Sequence, residues 1–172
     1  MGYAMLKGAL NSFSSDEIIF TCPSSQRREY INSETNVAYA ESNAECANNS
    51  KYIILAVKPQ VYDVVLKNIH DIVSPDNIII SLAPGITIDD LKRKLGNDMR
   101  IVRAMPNTPA LVGQGMTGIS NEALEFSHEE RSEIEQFFTS FGEMVIVPEN
   151  LMNAVVCASG SSPAYVYMFI EA

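Results

Sequence analysis

The sequence has 172 residues, 47% of them apolar, which is enough for one α/β domain with a sizeable core. Its net charge is −9, its pI is near 4.6, and no basic run is present to meet a phosphate backbone, so nucleic acid is not an expected partner. No apolar run approaches a membrane span, and no cationic stretch precedes an apolar one at the N-terminus, so neither a membrane segment nor a signal peptide is expected. Cys22, Cys46 and Cys157 are odd in number and widely spaced, as reduced thiols of a cytoplasmic protein would be. His70 and His128 lie far apart in polar surroundings, and no metal-ligand set is legible.

Taken in order, residues 1–13 read as a helix with Leu6, Ala9, Leu10 and Phe13 on one apolar stripe, with no cap and no preceding strand. Ser14, Ser15 and Asp16 make a turn, and residues 17–21 read as a short strand. The loop 22–25 caps a polar helix over 26–32, and 37–39 is a brief strand. A helix over 41–49 stops at Asn48, Asn49 and Ser50. Residues 52–57 are continuously apolar, as in a parallel strand buried on both faces. Pro59 suits the first position of the next helix, whose expected stripe is Val61, Val64, Val65, Ile69 and Ile72. Residues 77–82 form another buried strand. Ala83, Pro84 and Gly85 turn the chain, and Thr87 with Asp90 opens a helix that buries Ile88, Leu91 and Leu95 and ends at Gly96. Strands are expected at 100–104 and 116–120. Ser127 and Glu130 form a capping box ahead of Ile134, Phe137, Phe138 and Phe141; Gly142 stops that helix before a strand at 143–147 and a short helix at 149–156. Ser162 as N-cap and Pro163 open a last helix, apolar on every side and therefore expected to be buried against something.

This alternation predicts an α/β fold, a Rossmann-like doubly wound and mostly parallel sheet over residues 1–158, with residues 159–172 beginning an interdomain helix. Ligands of such a sheet bind outside the carboxyl ends of its strands. Four loops lie there, at 22–28, 56–59, 82–85 and 105–109. In the last, Pro106 and Pro109 hold Met105 and Thr108 extended, and Asn107 and Thr108 offer polar groups from a stiff backbone; a purely structural turn is the other reading. In the first, no acid falls between Glu17 and Glu29 to bind ribose hydroxyls. Ser24, Ser25, Arg27 and Arg28 stand there instead and suit a 2′-phosphate, which favours NADP over NAD, the other candidate; a solvated loop with an arginine pair is the alternative. Ala56 and Val57 permit close backbone approach. Taken alone, Lys58 is a surface lysine and Asn43 an N-cap. No Ser-His-Asp arrangement is legible, Asp89, Asp90, Glu129 and Glu130 read as helix N-terminal acids, and no catalytic residue is assigned.

Three blocks occur in order: Ala56-Val57-Lys58-Pro59, then Arg103-Ala104-Met105-Pro106-Asn107-Thr108-Pro109, then Ser159-Gly160-Ser161-Ser162-Pro163-Ala164-Tyr165. Together they resemble pyrroline-5-carboxylate reductase, and the resemblance spans the whole chain. It implies that Ala56, Val57, Lys58 and Pro59 line a dinucleotide site with Ser24, Asn43, Leu82, Ala83 and Pro84, and Arg27 joins them on the 2′-phosphate argument. The family usually has a small residue where Pro84 stands, so one backbone N–H is lost there. Met105, Pro106, Asn107 and Thr108 would border the nicotinamide and the substrate. The family begins with an apolar strand and a G-x-G-N-M-G loop, of which Met1 and Gly2 match the last two residues, and it continues into a helical domain for dimerisation and substrate binding. On that resemblance the chain is expected to be a fragment, inactive alone, binding cofactor weakly and associating through its last helix. The implied parent activity is NADPH-dependent reduction of the C=N bond of 1-pyrroline-5-carboxylate to L-proline, in a cytoplasmic homo-oligomer. Two alternatives stand beside it: another NADP-linked dehydrogenase acting on a hydroxy acid, and a non-catalytic nucleotide-binding or assembly module.

Overall fold

The computed structural model describes residues 1–121 and 126–172. Its centre is a five-stranded sheet of β3 (Tyr52–Leu55), β4 (Ile78–Ser81), β5 (Arg100–Met105), β6 (Gly115–Asn121) and β7 (Gly142–Ile146), in that spatial order. β3, β4 and β5 run parallel, β6 turns back antiparallel to β5, and β7 is parallel to β6. A separate two-stranded parallel sheet pairs β1 (Ile19–Phe20) with β2 (Ala38–Tyr39).

Strand alternation divides the core between two layers. Ile79 and Ile101 face Tyr62, Leu66 and Ile69 of α4 (Tyr62–Ile69) and Ile88, Leu91 and Leu95 of α5 (Ile88–Leu95). Ile78, Ile80, Val102 and Ala104 face Met5 of α1 (Gly2–Ala9) and Ile134 and Phe138 of α6 (His128–Thr139). Covering both faces explains why β4, with three consecutive isoleucines, is buried at every position. α1 joins the two sheets, because Met5 packs on the large one while Leu6 packs with Val37 and with Ile31 of α2 (Ser25–Thr35).

Most expected elements are present, with four corrections. The first helix ends at Ala9, and Ser15–Glu17 forms a 3₁₀ turn closed by a Ser14–Glu17 capping box. β3 is half-buried along most of its length because it is the edge of the large sheet, so its apolar run signals a strand without fixing a central place. The α4 stripe is rotated from the expected one: a 3₁₀ turn at Pro59–Val61 delays the helix, Tyr62, Leu66 and Ile69 point inward, and Val61 and Val64 are exposed. Ser162 does not cap the last helix, α8 (Ser162–Glu171). The chain runs into it through α7 (Met152–Val155) and a π turn at Val156–Gly160, and the Ser162 hydroxyl donates to the Ala158 carbonyl. α8 is exposed from Ala164 to Glu171, Phe169 at 84%, so the helix that is apolar on every side lies uncovered.

Candidate functional site

The parallel register aligns Leu55 of β3 with Ser81 of β4, and Ser81 with Arg103 of β5. The chain therefore leaves β3 at Ala56, β4 at Leu82 and β5 at Pro106 along one edge of the sheet. A buried tyrosine pins two of these exits. The Tyr62 hydroxyl donates to the Leu55 carbonyl (2.9 Å) and meets Ser81 Oγ (3.1 Å), which accepts the Ala83 N–H (3.4 Å). Burial pushes the Tyr62 phenol up from its ordinary pKa, so it stays a neutral donor. α1 starts at the same edge: a Cβ placed on Gly2 would come within 3.1 Å of Ala56 Cβ. Glycine allows this approach, which brings the first-turn N–H groups of α1, with no side-chain cap among the described residues, beside the β3 exit.

The expected dinucleotide residues lie around this edge. Ala56, Lys58, Pro59 and Pro84 are exposed, Val57 and Leu82 are half-buried, and Ala83 is buried. Met105 and Pro106 are buried and Thr108 is exposed. The Asn107 side chain both donates and accepts, within the protein. Its Oδ1 accepts the Met116 N–H (2.9 Å), and its Nδ2 reaches Ser159 Oγ (3.2 Å) and the Ser159 carbonyl (3.4 Å). Ser159 Oγ also reaches the Met116 carbonyl (3.3 Å). The second and third sequence blocks thus meet in one hydrogen-bonded knot.

At the 22–28 loop, the Ser24 hydroxyl caps α2 by accepting the Arg27 N–H (3.3 Å). The two adjacent arginines divide. Arg28 is buried, its Nη1 donates to the Cys22 carbonyl (2.6 Å) and its Nη2 pairs with Glu41, so its charge is turned inward and neutralised within the protein. Arg27 is exposed and lies against the rings of Tyr3 and Tyr30. Asn43 is not the cap of α3 (Asn43–Asn48); Ser42 takes that place, and Asn43 Nδ2 reaches Asn68 Oδ1 at 3.3 Å.

Sequence reasoning missed one feature. A cavity of about 280 Å³ is lined by Gly85, Thr87, Arg103, Glu149, Asn150 and Asn153. Within it, Arg103 Nη1 bonds Glu149 Oε1 at 2.9 Å, with the arginine side chain only 5% exposed, and the same carboxylate oxygen accepts the Ile88 N–H at the start of α5 (2.7 Å). Arg103 alternates in register with the core residue Ile101, so an arginine at a core-facing strand position was the signal available. Its partner lies 46 residues away, which no local pattern reveals.

A family profile described as NADP oxidoreductase coenzyme F420-dependent matches residues 1–85. The sequence is 40% identical to a pyrroline-5-carboxylate reductase of Escherichia coli strain K12, over 100% of this chain and 64% of that protein. A solved pyrroline-5-carboxylate reductase from Coxiella burnetii superposes with a TM-score of 0.91 at 29% identity, over 99% of this chain and 64% of that one. Over its whole length, in sequence and in fold, the chain is similar to pyrroline-5-carboxylate reductases. Another solved relative, the Plasmodium falciparum pyrroline carboxylate reductase with NADP bound, has a TM-score of 0.87 at 32% identity, over 99% of this chain and 63% of that one. The chain thus spans about 64% of the length of the reductase relatives it matches. Among the described residues, no helix is long and apolar enough to cross a membrane.

Proposed function

We propose that the crevice along the β3, β4 and β5 exits binds NADPH, and that the protein reduces 1-pyrroline-5-carboxylate to L-proline. The observation that carries this reading is the register: β3 and β4 end at an aligned pair, β5 runs on only two residues further, and the three loops leave the same edge of the sheet. The donor set fits a dinucleotide. The N–H groups at the start of α1 suit a pyrophosphate, and Arg27 with Ser24 and Ser25 suits a 2′-phosphate. Ala56, Val57, Lys58, Pro59, Leu82 and Ala83 line the run between them, with Asn43 at its far side; Pro84 offers no N–H there. Met105, Pro106, Asn107 and Thr108 border the nicotinamide end.

When bound, the cofactor supplies the hydride that adds to the C=N carbon. The chain positions and excludes water. Buried Met105 and Pro106 form an apolar floor, and the Asn107–Ser159 knot fixes the loop above it. A cyclic imine is basic enough to arrive protonated, so these residues need not supply a strong acid. We read residues 1–158 as the dinucleotide-binding domain and 159–172 as the start of a helix toward a second, helical domain. A cytoplasmic homo-oligomer completes the reading.

The test follows NADPH absorbance in the intact gene product with added pyrroline-5-carboxylate. Consumption that requires the imine and yields proline is expected. Consumption with a hydroxy-acid or keto-acid pair in place of the imine would transfer the protein to another dehydrogenase class. NADPH binding without turnover of either would make it a nucleotide-binding module.

A further inference from the structure

Arg27 lies against two aromatic rings. Its guanidinium carbon lies 4.9 Å from the centroid of Tyr3 and 5.0 Å from that of Tyr30, both inside the range of cation–π attraction. Lys7 Nζ lies 5.8 Å from the same Tyr3 ring. Among the described residues, neither cation has a carboxylate within ion-pairing distance, although the chain carries 21 acids against 12 lysines and arginines. Arg28, one residue on, makes the contrast: it is buried, its Nη1 donates to the Cys22 carbonyl and its Nη2 pairs with Glu41. Stacking on a ring uses the face of a guanidinium and leaves its N–H edge available, and that edge is what grips a phosphate bidentately. Tyr3 is itself anchored, packing with Leu6, Ile31 and Val37 where α1 meets α2. A surface arginine is otherwise free to swing, and fixing it beforehand lowers the entropy lost on binding.

We propose that Tyr3 and Tyr30 hold Arg27 in place as the residue that discriminates a 2′-phosphorylated dinucleotide from its unphosphorylated counterpart, with Lys7 adding charge on the same side. This rests on the reading of the crevice as a dinucleotide site. The rings act through Arg27, so they are positioning residues. Removing either lowers affinity for NADPH and leaves NADH affinity unchanged.

The test is calorimetric titration of the intact protein with NADPH, NADH, 2′,5′-ADP and 5′-ADP. The wild type binds each phosphorylated ligand more tightly than its partner. Tyr3→Leu and Tyr30→Leu each reduce that ratio by about three- to tenfold, through the phosphorylated ligand alone. Tyr3→Phe keeps the ring and keeps the ratio, which separates stacking from the loss of core packing that Tyr3→Leu brings. Parallel weakening of both ligand types, or an unchanged ratio in both leucine variants, would overturn the proposal while leaving the dinucleotide site intact. Failure of the wild type to bind any of the four would overturn the site reading itself.

Discussion

Single side chains hold the crevice edge together, and they can be tested one atom at a time. The Tyr62 hydroxyl joins the ends of β3 and β4 through Leu55 and Ser81. Tyr62→Phe removes the bridge and leaves the Leu55 carbonyl without this buried donor, so it is expected to destabilise by about 1–2 kcal/mol in a urea melt. A loss below the error of the melt would mean the bridge is not a holding contact. Gly142 is stricter. Its φ is +152°, and a Cβ there would stand 2.0 Å from the Gly115 carbonyl oxygen across the β6–β7 pair. Gly142→Ala must shift that register and is expected to cost about 3 kcal/mol or more in the same assay. The sequence marked Gly142 as a helix stop but not as a contact point, because a close approach of two backbones leaves no trace in local spacing.

At the scale of elements, carboxylates lock helices to the sheet. Glu130 closes the capping box of α6 by accepting the Ser127 N–H (3.0 Å), and it also meets Arg100 at 2.8 and 2.9 Å at the start of β5. The Ser127 bond and the Arg100 charge, against the opposing effect of burial, lower its pKa from 4.5 to about 2. A carboxyl whose folded pKa lies below its unfolded value stabilises above the unfolded value and loses that contribution as pH falls through the folded one. Acid melts between pH 5 and pH 2 are therefore expected to show a loss of about 1–2 kcal/mol that Glu130→Gln lacks, after allowance for solvent screening. Equal acid sensitivity in both proteins would remove Glu130 from the account. Glu149 locks β5 to α5 and to the segment leading into α8. Glu149→Ala leaves Arg103 buried and unpaired, with an expected loss of about 3 kcal/mol by thermal or chemical melt, whereas Arg103→Met with Glu149→Leu is expected to recover much of it. Capping boxes were legible because Ser127 and Glu130, like Thr87 and Asp90, sit three apart beside an apolar stripe. The Arg103–Glu149 lock was not, and neither was the phase of α4, which the 3₁₀ turn at Pro59–Val61 rotates away from the simple periodic reading.

Over the whole molecule, the strand–helix alternation was enough to give the layered sheet and the loops at its carboxyl edge, since buried parallel strands carry continuous apolar runs. It could not give the division of labour within those loops: which arginine turns inward, or that Asn107 faces Ser159, depends on neighbours distant in sequence. It did mark α8 as a helix apolar on every side that would seek a partner, and its apolar surface lies open in this chain. The central claim is that the exits of β3, β4 and β5, together with the start of α1 and the α2 cap, address one dinucleotide. The most direct measurement is the change in amide chemical shifts of isotopically labelled protein on titration with NADPH. Shifts should gather at Gly2 and Tyr3, at Ser25 and Arg27, at Ala56 to Lys58, at Leu82 and Ala83, and at Asn107 and Thr108, with Ile78 and Arg100 at the opposite ends of the same strands unmoved. Shifts centred on that opposite edge, or an absence of shifts at saturating cofactor, would contradict the account.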